Sequence, residues 1–379
     1  MRKRPVPELR TGRHRAGATH PIVPFSREGR RPFGRKAAFA HRVAAGCCGL
    51  LVLCGSVGCW GVSEREVVVY AALDAEFSQP LLEDFTRDTT VKVLANYDVE
   101  STKTVGLVTR ILRERRRPRC DVFWNNEILH TLRLQQQGLL EPHLFPAGQS
   151  LPPNYRASDG SWYGFAARAR VLLVNTRLVS EPERPASILD LQDPKWNGRA
   201  GMAKPLFGTT ATHASVLFAT WGDARAREYF TNLKRNVAVL SGNKQVAMAV
   251  GRGDLAFGIT DTDDAIVELE QGRPVAIVYP DQHDDGLGTL FIPNTLCIIK
   301  GGPHPMEARH LVEYLLTATV ETKLAQGHSA QFPVLPGVSV GSRAAPPHPV
   351  RWMDADFQQA AAHWDAATGV LRELFATAE

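Results

Sequence analysis

Residues 67–96 read VVVYAALDAEFSQPLLEDFTRDTTVKVLAN, and the order of residue types along them decides the fold class. Residues 67–72 are a β-branched apolar run that stops at Leu73-Asp74, which is the pattern of a strand. Phe77, Leu81, Leu82 and Phe85 then recur at helical spacing and predict a helix over 77–87. Residues 91–96 give the next strand. Working outward, 102–115 predict a helix with its apolar stripe at Val105, Leu107, Val108, Ile111 and Leu112. Residues 121–124 read as a strand and 128–137 as a helix that ends at Gly138. Strands separated by helices of this length imply parallel pairing through crossovers, so the chain is α/β.

The alternation continues. Strands are expected at 171–175, 237–240, 255–259, 275–278 and 289–299. Helices are expected at 212–221, 224–235, 244–250, 263–271, 306–316 and 355–375. The Pro-rich stretch 344–349 reads as a linker before the last helix. No repeat of 20–50 residues is visible, and a body of about 320 residues exceeds what one core serves, so two lobes are expected.

The 379 residues are 44% apolar and 22% charged, an ordinary globular composition. The net charge of +5 is unevenly placed: residues 1–58 hold twelve Lys and Arg against Glu8 and Glu28, so the remainder is net acidic by five charges. A nucleic-acid role argued from overall basicity would rest on that leader alone and is set aside. Between Arg42 and Glu64 runs the uncharged segment VAAGCCGLLVLCGSVGCWGVS. Basic residues, a short apolar stretch and then small residues have the order of a secretory signal. Gly55-Ser56-Val57-Gly58-Cys59 resembles a bacterial lipobox, with Ser56 where Leu is usual, which implies a lipid on Cys59. An uncleaved membrane anchor and plain secretion are the alternatives. Residues 1–42 are long for a charged n-region and point to disorder or to a start placed too early. Four of the six cysteines belong to this leader, leaving Cys120 and Cys297 in apolar runs of the body. Two buried free thiols are expected there, one long-range disulfide being the alternative.

A set of blocks in the body resembles the ferric-iron-type solute-binding proteins of bacterial ABC importers. They are Val69-Tyr70 with residues 71–77, RCDVFW at 119–124, GFAARARVLLVNT at 164–176, SILDL at 187–191 with Pro194-Lys195-Trp196, FGTTATH at 207–213, GDLAFGITDTDD at 253–264 and Pro303-His304-Pro305. The resemblance runs in family order from about residue 66 to 336. It implies a type II periplasmic-binding architecture of two α/β lobes joined by hinge strands, with a central ligand cleft. The expected division is a leader at 1–58, a first lobe at 64–165 with 290–379, and a second lobe at 166–289. It further implies export to the periplasmic side of the cell envelope, permease subunits of the importer as partners, attachment to the membrane through the lipid, and no cofactor beyond ferric iron as transported ligand.

The site residues follow block by block. Gly208, Thr209 and Thr210 sit where a strand-like run meets a helix, and backbone N–H groups at a helix start attract anions. The family binds phosphate or another anion there. Arg168 matches a cleft-facing arginine, a side chain suited to gripping carboxylate or phosphate, with Arg170 as its weaker neighbour. In Asp261-Thr262-Asp263-Asp264, Thr262 and Asp263 stand where iron-binding relatives carry two adjacent tyrosines. Asn126, beside Glu127, stands at the family's metal-ligating Glu, and no His occurs between Tyr70 and Asp74. Every aligned iron ligand is therefore replaced, although Asp261 and Asp263 remain hard oxygen donors for a metal. Carboxylates and arginines in one cleft also suit a ligand of both signs, such as a metal–anion chelate or an aminoalkylphosphonate. Asp74 and the loop holding Glu100 and Thr102 complete the expected ligand set, with His213 and His283 as weaker metal candidates.

An enzyme on the same scaffold is the rival class, since fold does not fix function. It would need a nucleophile with a base or an open metal position, and no HExxH or CxxC is present. A ligand-sensing lobe of a receptor is a third class and would need a fused output domain. No P-loop and no further apolar span points to ATP hydrolysis or conduction by this chain itself.

Overall fold

A computed structural model describes residues 65–98 and 104–376. Cys59, Glu100 and Thr102 lie outside the described residues. The strands are β1 (Glu66–Ala71), β2 (Lys92–Tyr97), β3 (Val122–Asn125), β4 (Tyr163–Asn175), β5 (Ala200–Ala203), β6 (Ala238–Leu240), β7 (Phe257–Asp261), β8 (Val275–Val278) and β9 (Phe291–Ile298). The helices are α1 (Ala75–Thr89), α2 (Val105–Glu114), α3 (Leu129–Gln136), α4 (Pro146–Gln149), α5 (Gly208–Trp221), α6 (Asp223–Asn236), α7 (Asn243–Arg252), α8 (Thr262–Glu270), α9 (Pro305–Leu315), α10 (Ala318–Gln326) and α11 (Phe357–Phe375).

Hydrogen-bonded neighbours follow the order β2-β1-β3-β9-β4-β7-β5-β6, with β8 also paired to β4. The expected parallel pairing holds for β1 with β2 and β3, and for β5 with β6 and β7. It fails in the middle, where β9 runs antiparallel to β3 and β4, and β4 antiparallel to β7 and β8. The reason is length and direction. β4 has 13 residues, all buried, and pairs with β9 along its first half and with β7 and β8 along its second.

The changeover lies next to Ala166. Its φ of +41° is left-handed, and the register with β9 shifts between Phe165 and Ala167. An L residue is disfavoured there by roughly 1 kcal/mol or more, so neighbours must hold it. Buried Glu321 does so, accepting from Ala166 N at 2.8 Å with one oxygen and from Val334 N and Leu335 N at 2.8 Å with the other. Asn294 Nδ2 donates to the Ala166 carbonyl.

Apolar side chains form a core on each side of this changeover. Val67, Val69, Phe85, Trp124 and Leu311 fill one; Leu172, Leu217, Phe218, Phe230 and Phe257 fill the other. Helix α11 serves both: Ala360, Ala361 and Trp364 pack with Ile128 and Leu132 of the first half, and Ala367, Leu371 and Phe375 with the second. Among the described residues the clusters run from Val67 to Phe375, and the chain from Gly61 to Glu379 forms one compact unit.

Candidate functional site

Strands β1 and β3 point their carboxyl ends at one region, where ligands of open α/β sheets bind. Asn126 follows β3 there, buried, its Oδ1 accepting from Thr104 Oγ1 at 2.6 Å. Facing it are two helix starts. Phe207 is extended and Gly208 turns the chain into α5 with φ +55°, a conformation that favours glycine. Helix α7 begins at Asn243 after an extended Gly242. Neither start has a side-chain cap, and first-turn N–H groups have no acceptor within their own helix. Asn126, Lys204, Phe207–Thr210, Ser241–Asn243 and Asp261 line one small polar pocket. Two macrodipole ends thus converge on it, with Lys204 in its lining, and each helix end acts as roughly half a positive charge.

Beneath the pocket lies a charge network built by the β4–β7 register, which sets Arg170 opposite Asp261. Arg170 Nη1 donates to Asp261 Oδ1 at 2.6 Å, to Asn243 Oδ1 at 3.1 Å and to Thr209 Oγ1 at 3.4 Å. Its Nη2 donates to Thr210 Oγ1 at 3.3 Å. The other Asp261 oxygen accepts from Thr209 Oγ1 and from Asn243 Nδ2 at 3.0 Å. Burial pushes the Asp261 carboxyl up, but Arg170, then Arg168 and Thr209, outweigh it and hold it below the ordinary value of 3.8. His213 lies behind Arg170; burial, followed by the arginine's field, pushes it down to about 3, so it is neutral and no cation.

Arg168 is held differently. Its Nη2 donates to Asn294 Oδ1 of β9 at 2.8 Å, while its Nε stands 3.4 Å from Asp263 Oδ2 without a hydrogen bond.

Several expectations change. Asp261, Asp263 and Asp264 do bring carboxylate oxygens within 4.8 Å of one another. Arg170 and Arg168 meet two of these acids, however, so the opposite charges expected to face a ligand face each other first. Glu127 is not turned to the pocket. Its buried carboxylate accepts from Leu129 N and His130 N at the start of α3, from Asn125 Nδ2, and from Thr212 Oγ1 at 2.8 Å. Thr262 is likewise structural, its Oγ1 accepting from Ala169 N at 3.1 Å and tying α8 to β4. Asp74 caps no N–H at the start of α1. His283 is exposed in a loop outside the site. Cys120 and Cys297 are buried free thiols.

Asn243, Lys204 and Ser241 were not singled out from the sequence. The signal was there in Ser241-Gly242-Asn243, a cap-type run opening an apolar helix. One Gly-x-Ser-x-Gly spacing does occur, at 337–341. It lies in irregular chain between α10 and α11 with Ser339 exposed, not on a strand-to-helix turn, so it is no nucleophile elbow. Among the described residues no helix is long and apolar enough to cross a membrane.

Residues 130–360 match the family described as bacterial extracellular solute-binding protein. The "Iron uptake protein A1" of Synechocystis is 25% identical over 74% of this chain and 79% of its own length. The "Major ferric iron-binding protein" of Neisseria meningitidis is 29% identical over 72% of this chain and 82% of its own. Among solved structures, iron-bound HitA from Pseudomonas aeruginosa superposes with a TM-score of 0.72 at 23% identity, covering 82% of this chain and 99% of HitA. The blocks, the strand order and these likenesses agree: the chain belongs to the bacterial extracellular solute-binding proteins and has their two-lobed type II periplasmic-binding fold.

Proposed function

We propose that the chain is the substrate-binding lipoprotein of an ABC importer and captures ferric iron as a chelate with an oxyanion. Cys59 would carry the lipid on the periplasmic side, and the permease subunits would receive the closed form. The observation that carries the ligand class is the convergence of the α5 and α7 starts, Lys204 and Asn126 on one pocket. The names of the relatives supply the iron. The absence of tyrosine at Thr262 and Asp263, together with the engagement of Asp261 by Arg170, argues against a bare ferric ion.

In this reading the anion rests against Gly208, Thr209, Thr210 and Asn243. Asn126 approaches from the first lobe, Asp74 and Thr102 complete the ligand set, and Arg168, Asp261 and Asp263 form the charge-balanced floor. The lobes are 64–165 with 290–379, and 166–289, joined near the Ala166 bulge. Helix α11 is shared between them. Each lobe supplies part of the polar wall, so ligand bridging both favours closure.

Thermal unfolding with ferric citrate, ferric chloride, phosphate and aminoalkylphosphonates in parallel tests this. Ligand at about 100 times its Kd adds roughly 2.7 kcal/mol, a rise of several degrees for a body of this size. Ferric citrate is expected to give that rise and ferric chloride none. A second reading, an oxyanion or zwitterion without metal, is favoured by the same engagement of Asp261; a rise with phosphate or a phosphonate and none with ferric citrate would establish it.

A further inference from the structure

Ten residues outside the cleft carry the densest charge of the body. Residues 110–119 contain six arginines and one acid, Glu114. All six arginines are exposed, from the last turns of α2 through the turn that leads to β3. Glu114 does not balance them, because it is shared between Arg110 Nε at 3.0 Å and the Tyr70 hydroxyl at 2.9 Å. Arg110 also lies over the Tyr70 ring. Arg113, Arg115, Arg116, Arg117 and Arg119 are left projecting around the turn.

The place of this turn in the fold gives it meaning. Asp121 N donates to Val68 O at 2.9 Å and Val69 is in register with Val122, so the turn stands beside the beginning of β1, where the chain arrives from its leader. The turn 300–302, with exposed Lys300, packs on Cys120 and Asp121. Two acids at this edge are already engaged, Glu307 by Arg65 and Glu66 by His304. The pocket residues follow the carboxyl end of β3. Arg119 precedes β3 and Asn126 follows it, with the four strand residues, roughly 13 Å of extended chain, between them. The arginine face and the cleft occupy opposite ends of the first half-sheet.

We propose that this face docks on an anionic phospholipid surface. Guanidinium groups pair with phosphate through two parallel donors, and the rest of the body, which is net acidic, is repelled by the same surface. The attraction therefore orients the body as well as retaining it, and it leaves the cleft turned toward solvent. The proposal rests on export to a membrane-bounded compartment and not on the lipid at Cys59 or the identity of the ligand.

The test is co-sedimentation of the body from Ser63 to Glu379, which belongs to one compact unit, with vesicles of phosphatidylcholine alone or mixed with phosphatidylglycerol. Sedimentation is expected only with the anionic vesicles, and it should fall as salt shortens the screening length from about 10 Å at ~0.1 M. The triple variant Arg115→Glu, Arg116→Glu, Arg117→Glu should lower partitioning at least tenfold, since each basic side chain near such a surface is worth roughly fivefold. A variant with the same charge change on α6, Arg225→Glu, Lys234→Glu, Arg235→Glu, should lower it far less; circular dichroism melts report whether either variant is folded. Equal losses in the two variants, or binding to an RNA duplex without binding to vesicles, would overturn the proposal. No ligand is present in this experiment, so failure here and failure of the chelate reading are separate results.

Discussion

Arg168 and Arg170 stand two residues apart on β4, both buried and both facing an aspartate, yet they are held in different ways. Arg170 lies directly across the β4–β7 ladder from Asp261, and four oxygens from three elements accept from it. Arg168 donates to Asn294, and its Nε stands 3.4 Å from an aspartate that it does not reach with good geometry. Position along the strand explains the contrast. Arg170 pairs within the second half-sheet, whereas Arg168 lies on the side of β4 that pairs with β9, close to the Ala166 bulge. One pair is therefore locked across the strand ladder, and the other is held by a longer contact.

The largest expected effect tests the first member. Asp261→Asn removes the carboxylate paired with the Arg170 guanidinium and should cost about 3–5 kcal/mol in urea unfolding. Acid sharpens the same point. The folded-state pKa of Asp261 is depressed, so its contribution is present above the unfolded value near 3.8 and is lost as pH falls through the lower folded value. Wild type should consequently lose more stability than Asp261→Asn between neutral pH and about pH 3, where ordinary carboxyls protonate. Equal acid sensitivity would mean that Asp261 is not the group responsible. Arg168→Ala is expected to cost less, about 1–3 kcal/mol, mainly by leaving Asn294 Oδ1 without its donor. Its ligand affinity should fall more than that of a variant elsewhere on β4, as read by calorimetric titration with ferric citrate. Smallest is Glu76→Gln, which breaks an exposed contact of 2.8 Å to Lys244 between α1 and α7. Such pairs contribute about 0–1 kcal/mol, so a larger loss would make that contact part of closure.

The sequence reveals where this network comes from but not how it closes. The alternation of apolar runs with helical stripes located most of the helices and strands, because each buries one face or both against a single core. It missed β5, whose four residues Ala-Gly-Met-Ala lack β-branching, and α10, despite its Thr317 cap. It also shortened β4 to 171–175, since Arg168 and Arg170 interrupt the apolar run that marks the strand, although both are buried. Pairing direction was the consequential error. Parallel neighbours would have kept Arg170 away from Asp261, and only the antiparallel return of β7 puts them opposite. That Gly208, Thr209, Thr210 and Asn126 line one pocket was legible because helix starts and strand ends are local signals. Glu127 and Thr262 were misread because their partners, Thr212 and Ala169, lie far along the chain.

Helix α11 has a thermodynamic corollary. Trp364 belongs to one core and Leu371 and Phe375 to the other, on a single run of 19 residues. Melting either half would strip apolar cover from its neighbour, and each buried large side chain is worth about 1.5–3 kcal/mol. The two halves should therefore unfold in one calorimetric transition with matching calorimetric and van't Hoff enthalpies, although each has its own half of the sheet. Two resolved peaks would mean that the last helix rides on one half alone.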